Sequence, residues 1–401
     1  MAAGQTYKYV IAGAGLAGAS AVEGIRTRDK DGAILVAGAE PDPPYHRPPL
    51  SKDLWLKENA SVDDIFVRAQ DRYAADGVDL RTGSEVTGLD PGKHTVHLGG
   101  EACTYEKLLL ATGGAPRTLP VPGGDLDEIT YMRTLGDFRR LREVDWSGEP
   151  VIVVGGGFIG SEMAAALVTQ GAQVTLIFPE AWLCARVFPE SLGRAMLEVY
   201  RDRGATVLAE DAPERFAQRD GGIVMHTKAG REVTARAAVA GIGIEPATSL
   251  AEGAGLSVDN GIVVDANLCA SHPDVYAAGD VARFPYTALG KPMRMEHWDN
   301  ARAMGRHAGA NMAGDGSAYT YMPYFFSDLF EFGYEAVGDV DVRLTTTADW
   351  KDENRKGVVY YLDDGRVRGA MMCGVWDKVD TARELIRRGK KTSPEGLKGA
   401  I

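Results

Sequence analysis

Two glycine-rich loops of one grammar limit what this chain can fold into. The first follows the strand-like run Tyr7-Lys-Tyr-Val-Ile-Ala12 and reads Gly13-Ala-Gly15-Leu-Ala-Gly18. The second comes 142 residues later, after Val151-Ile-Val-Val154, and reads Gly155-Gly-Gly157-Phe-Ile-Gly160. In such a loop the first glycine permits a tight strand-to-helix turn. The second lets the backbone approach a pyrophosphate, and the third lets the helix pack close to its strand. The phosphates then meet free N–H groups at the positive end of the helix. Each loop also has the acid that completes such a site about 20 residues on: Glu40 after Ala33–Gly38, and Glu180 after Val174–Phe178. One loop alone is also an ordinary turn before a helix. Two loops with matching acids imply two dinucleotide sites in one molecule, and electron traffic between them. A carboxylate at Glu180 accepts from the 2′-hydroxyl of NADH and repels the 2′-phosphate of NADPH. No basic residue follows it before Arg186, so NADH is the expected donor.

Length and charge narrow the class. At 401 residues the chain is too long for one ordinary domain. Its net charge of −12 disfavours nucleic acid and anionic membrane surfaces as partners. Two stretches are locally basic: Arg283 to His307, with Lys291, Arg294, Arg302 and Arg306, and the tail with Arg387, Arg388, Lys390 and Lys391. The four cysteines (Cys103, Cys184, Cys269, Cys373) show no C-x-x-C pair and no metal spacing. This argues against a redox-active disulfide and fits a reducing cytoplasm. No secretory signal pattern opens the chain, and no apolar run approaches the length of a membrane span.

Along the chain, residues 7–40 read as strand–loop–helix–strand. Pro41 to Pro49 is proline-dense and reads as a stiff, extended arm that mounts Arg47 and Lys52. Short strands follow over 78–110, ending in Ala111-Thr112-Gly113-Gly114, small groups and a hydroxyl at a strand's carboxyl end, where α/β sheets bind ligands. A second nucleotide unit runs from a polar helix (Leu135–Val144) to Ala237–Gly243. The strand Val275–Ala278 then leads into Gly279-Asp280. Asp280 fits either a helix cap or an acceptor for a ribityl hydroxyl; with two nucleotide units upstream, the second reading is preferred. Residues 319–395 change character, with an aromatic run (Tyr321–Phe332), a hairpin (Gly357–Leu362 with Val367–Gly374) and a closing helix (Asp377–Arg388). The fold class is α/β: two Rossmann-like dinucleotide-binding domains, a discontinuous one (1–122 and 246–318) and one for NADH (123–245), plus a small α+β domain (319–401).

The two loops, Arg47-Pro-Pro-Leu-Ser-Lys52, Ala111–Gly114, Gly157-Phe-Ile-Gly-Ser-Glu162, Gly241-Ile-Gly-Ile-Glu-Pro246 and Tyr276-Ala-Ala-Gly-Asp280 together resemble the two-dinucleotide flavoprotein reductases related to the pyridine nucleotide-disulfide oxidoreductases. The chain is most similar to the branch holding apoptosis-inducing factor, monodehydroascorbate reductase and the NADH reductases of ferredoxin and rubredoxin. The resemblance implies FAD at the first loop and NADH at the second. For FAD it implies Gly13, Gly15, Ala17 and Gly18 in the loop, Glu40 on the adenosine ribose, Arg47 and Arg133 near the pyrophosphate, and the Val86 backbone at adenine. Ala111, Thr112, Gly113, Gly279 and Glu296 complete that set, with Asp280 on the ribityl chain and His297 and Trp298 lining the isoalloxazine. For NADH it implies Gly155, Gly157, Ile159, Gly160, Glu180 and Gly243, with Phe158 between flavin and nicotinamide and Phe326 or Glu335 closing the nicotinamide side. Lys52 and Glu162 form the implied catalytic ion pair near flavin N5. A buried carboxylate needs a partner, and a cation near N5 favours the anionic reduced flavin. Two departures stand out. The last domain lacks the long insertion usual near apoptosis-inducing factor, and Phe326 stands where relatives often have Trp.

Two functions compete. One is an enzyme in which NADH reduces FAD and electrons pass singly to a small iron–sulfur carrier of the ferredoxin or rubredoxin type, with Arg283–Arg306 as the expected dock. The other is a sensor like apoptosis-inducing factor, which holds a long-lived charge-transfer complex and changes oligomeric state. A homodimer is kept open. Peroxide or disulfide reduction lacks its cysteine.

Overall fold

The computed structural model describes residues 5–401, and the chain divides into two compact units. The first is assembled from residues up to His46, Val62–Ala115 and Glu245–Pro323; the second comprises Arg47–Ser61, Pro116–Ile244 and Tyr324–Ile401.

The first unit is built on a seven-stranded sheet in the order Val78–Arg81, Ile34–Ala37, Thr6–Ala12, Glu101–Leu110, Thr95–Leu98, Val86–Asp90. Val275–Ala277 adds to the carboxyl half of Glu101–Leu110, pairing in parallel with Leu108–Leu110. Its central parallel strands are near-continuous apolar runs because both faces are covered; Val10, Ile11, Val36 and Leu108–Leu110 are fully buried. Helix Leu16–Arg28 packs against helix Trp298–Met312. The contact is made by small residues. A Cβ on Gly305 would run into the Ala17 carbonyl, one on Gly309 into the Ala21 carbonyl, and one on Gly24 into the Arg306 carbonyl. The two backbones therefore touch, and the later helix covers the earlier one.

The second unit holds a five-stranded parallel sheet, ordered Thr206–Ala209, Gln173–Phe178, Pro150–Val154, Ala237–Ala240, Ile129–Tyr131. A three-stranded antiparallel sheet (Pro213–Arg219, Gly222–Thr227, Glu232–Ala235) shares its core through Phe216, Ile223 and Met225. A five-stranded antiparallel sheet follows, in the order Tyr324–Leu329, Phe332–Gly338, Arg366–Cys373, Lys356–Asp363, Thr345–Asp352. The closing helix Val379–Arg388 buries Ala382 and Ile386 and ends at Gly389, whose φ of 57° suits the left-handed stop.

The proline-dense arm does not stay extended to its end. Pro48–Ser51 forms a 3₁₀ turn and Asp53–Leu56 a short α-helical turn. A proline's fixed φ is also that of a helix's first residue, where its missing N–H goes unneeded, so paired prolines start a turn here rather than hold the chain straight.

Candidate active site

The two glycine loops have the same backbone. Gly13 and Gly155 sit at φ of 122° and 120°. Gly15 and Gly157, at φ −86° and −84°, precede helices Leu16–Arg28 and Phe158–Thr169. The three glycines of each loop divide their work as the sequence pattern requires. A side chain at Gly13 would strike the Ala111 carbonyl, and one at Gly155 the Gly241 carbonyl. Gly18 and Gly160 lie against the carbonyls of Gly13 and Gly155. At Gly15 and Gly157 a Cβ would meet no atom within 4 Å. Backbone that is bare on one side and headed by free helix N–H groups fits a pyrophosphate in both places.

Around the first loop, Glu40 accepts the Tyr45 hydroxyl at 2.5 Å and is half-buried. Val86 is buried. The Thr112 hydroxyl donates to the Ala247 carbonyl at 2.7 Å, and the Ala247 N–H donates to the Gly113 carbonyl at 3.0 Å, so the Ala111–Gly113 strand end is tied to the chain returning for this unit. Ala17 is buried, and its methyl is what a Cβ on Gly279 would meet. Asp280 lies in the 3₁₀ turn Gly279–Val281 rather than at the cap of a long helix. Arg294 donates to the Asp280 carbonyl at 3.1 Å and to the Glu296 carboxylate at 2.7 Å. His297 is the N-cap residue of helix Trp298–Met312. Burial, opposed by the nearby Asp280 charge, lowers its imidazole to a pKa of about 4, so it is neutral at physiological pH.

Around the second loop, Glu180 is exposed and Ile159 is 38 % exposed. Gly243, at φ 94°, accepts from the Arg117 N–H at 2.9 Å. Segment 180–188 is tied back to the loop by the Cys184 N–H, which donates to the Gly156 carbonyl at 2.7 Å. Arg186 lies 3.5 Å from the buried Asp341. Arg47 donates to the Arg133 carbonyl at 2.7 Å. Phe158 and Phe325 have ring centroids 5.5 Å apart. One buried carboxylate oxygen of Glu335 makes no hydrogen bond, and burial, then the Asp377 charge, raises its pKa.

The proposed catalytic pair meets. Lys52 Nζ is 2.5 Å from Glu162 Oε1, with side chains 9 % and 4 % exposed. Two serines unmarked by the sequence reading complete the carboxylate. Ser51 donates to Oε2 at 2.6 Å and Ser327 to Oε1 at 2.5 Å, and both are buried. Three donors on two oxygens offset the desolvation of a buried carboxylate. Lys52 Nζ also stands 5.5 Å from the Phe326 ring centroid. Ser51 was findable as the neighbour of Lys52. Ser327 comes from a strand 165 residues beyond Glu162, and no sequence spacing signals it.

All four cysteines are free. Burial pushes the Cys184 thiol up to about 12 and that of Cys373 further, and it also raises Cys103 and Cys269. None is a ready thiolate. Among the described residues no group of His, Cys, Asp or Glu is arranged to hold a metal, and no helix is long and apolar enough to cross a membrane.

Residues 7–305 match the pyridine nucleotide-disulphide oxidoreductase family. The chain belongs to that family. This oxidoreductase is 36 % identical over 395 residues to the ferredoxin–NAD(+) reductase component of an anthranilate 1,2-dioxygenase system from Burkholderia cepacia, covering 97 % of the chain and 96 % of the relative. It is 34 % identical to apoptosis-inducing factor 1 of Dictyostelium discoideum, covering 95 % and 78 %. A putidaredoxin reductase, solved in covalent complex with putidaredoxin, has the same fold with a TM-score of 0.91 at 29 % identity, covering 97 % of this chain and 95 % of that one. The expected class holds: the protein is an NADH-dependent oxidoreductase that works through FAD.

Proposed function

We propose that this oxidoreductase passes electrons from NADH to a small ferredoxin-type iron–sulfur carrier. The observation that carries the reading is the buried Lys52–Glu162 pair with its serine donors, in a protein with two glycine loops of matching backbone and no reactive thiol. FAD, when bound, takes a two-electron hydride from NADH and gives electrons up one at a time. The first cradle, with Glu40, Val86, the Ala111–Gly113 strand end, Gly279, Asp280, Glu296, His297 and Trp298, holds FAD in this reading; Arg47 and Arg133, which the resemblance assigns to its pyrophosphate, belong to the second unit. The second, with Ile159, Glu180 and Gly243, receives NADH. Phe158, Phe326 and Glu335 order the nicotinamide, whose carboxamide N–H would satisfy the orphaned Glu335 oxygen. Lys52, aimed by Glu162, supplies the cation that favours hydride arrival. The three-domain division at 122/123, 245/246 and 318/319 is retained as the functional partition, and a cytoplasmic setting suits a soluble carrier.

The dock narrows to fewer residues than the sequence suggested. Arg283 is paired with Asp259, and Arg294 is turned inward onto Glu296 and the Asp280 carbonyl. Arg302 and Arg306 stay exposed and are the cations we assign to an acidic carrier. The test is steady-state reduction of a ferredoxin by NADH. We expect rates well above those without carrier, falling with salt and with Arg302→Glu and Arg306→Glu. A rate independent of carrier overturns the reading. The sensor alternative draws on the similarity to apoptosis-inducing factor 1; the named ferredoxin reductase and the putidaredoxin complex favour carrier reduction.

A further inference from the structure

The arm after Glu40 carries a histidine with no part in the reading above. His46 Nδ1 lies 2.9 Å from the indole Nε1 of Trp298, 252 residues away. An indole nitrogen only donates, so Nδ1 must accept. This fixes His46 as the neutral tautomer with its proton on Nε2. The rings stand 5.6 Å apart at 57°. Both partners are held by their backbones. The His46 N–H donates to the Ile65 carbonyl at 2.8 Å, and neighbouring Tyr45 pairs with Phe66 in a β-bridge. Trp298 opens the 15-residue helix, directly after His297. One turn on, the Arg302 guanidinium sits 5.7 Å from the Trp298 ring centroid.

We propose that His46 is a positioning residue of the FAD site: its neutral imidazole fixes the Trp298 ring by accepting the indole N–H, and protonation of His46 releases it. An imidazolium has two N–H donors and no lone pair in the ring plane, so the bond cannot survive proton uptake. The charged group facing His46 is Arg302, on the Trp298 helix. Burial, then that charge, lowers the histidine pKa below its ordinary range, so the latch is closed at neutral pH and opens only in acid. The inference rests on the reading of Trp298 as a wall of the flavin site.

The test uses the holoenzyme with ¹⁵N-labelled tryptophan, the Trp298 indole resonance being identified by its loss in Trp298→Phe. We expect a downfield, slowly exchanging indole proton at neutral pH. It should lose that character as the sample is acidified through the histidine's transition, which lies below that of a free imidazole. In His46→Gln an amide oxygen still accepts, so the bonded resonance should persist and cease to titrate. In His46→Phe it should be lost at every pH, and kcat should fall about three- to tenfold with KM for NADH unchanged, the cost of one lost hydrogen bond and a loosened ring. The flavin absorption band should shift with the indole. An indole resonance that is the same in wild type and His46→Phe overturns the latch and leaves the reading of Trp298 intact. An indole that titrates beside an unmoved flavin band overturns the assignment of the latch to the FAD site, and with it that reading.

Discussion

The two nucleotide cradles share a backbone and differ in what surrounds it. The first is built from chain that leaves and returns: its helix is covered by Trp298–Met312 through glycine and alanine contacts, its acid is gripped by Tyr45, and Thr112 is tied to Ala247. The second has an exposed acid at Glu180 and a helix that carries Glu162 into the Lys52 network. A shared loop backbone thus fits a pyrophosphate in both places, and the covering segments are what set the two apart. We read the first as a permanent mount for FAD and the second as a site for a coenzyme that comes and goes.

The sharpest way to break that contrast is to place a carboxylate in each cradle. Gly15→Asp and Gly157→Asp both put charge where a Cβ meets no atom. Like-charge contact costs several kcal/mol, about 100-fold in affinity. Gly15→Asp should be purified folded but colourless, shown by near-native circular dichroism and absent flavin absorption. Gly157→Asp should keep its yellow colour and show KM for NADH raised about 100-fold. The opposite pattern would reverse the assignment.

Lys52→Ala should slow flavin reduction by NADH about 100-fold in anaerobic stopped-flow, the scale of one lost electrostatic contact in the transition state, while FAD remains bound. Ser327→Ala leaves Glu162 with two donors and should cost about 1–2 kcal/mol in unfolding stability. An unchanged reduction rate in Lys52→Ala would remove the chemistry from the second unit.

His297 sharpens the first side of the comparison. Its folded pKa of about 4 lies below the unfolded value of about 6.5. Between those values the unfolded chain binds more protons, so stability rises with pH across the window and is lost as pH falls through it. His297→Gln should flatten the drop, on the order of 2–3 kcal/mol, measured by chemical denaturation at a series of pH values. The smallest effect belongs to the exposed acid. Glu180→Ala should shift the NADH:NADPH ratio of kcat/KM about tenfold toward NADPH, roughly 1.4 kcal/mol. Equal or better use of NADPH by the unaltered protein would refute the role of Glu180.

By itself the sequence determined what is local. Glycine spacing, the strand runs before Gly13 and Gly155, and the acids at Glu40 and Glu180 lie within single strand–helix–strand units, where steric limits on a few residues decide the backbone. The hairpin Lys356–Cys373 and the helix Val379–Arg388 are legible for the same reason. The proline arm misled because proline fixes φ without fixing ψ, and a helical turn uses the same φ as an extended chain. Only the tertiary structure decided the rest. It set Ser327 on Glu162, laid Gly305 and Gly309 against the first helix, paired Arg283 with Asp259, and turned the Trp298 indole onto His46. Each of these joins residues far apart in the chain. Their partners are chosen by which surfaces the packed elements bring together, and no spacing along the sequence records that choice.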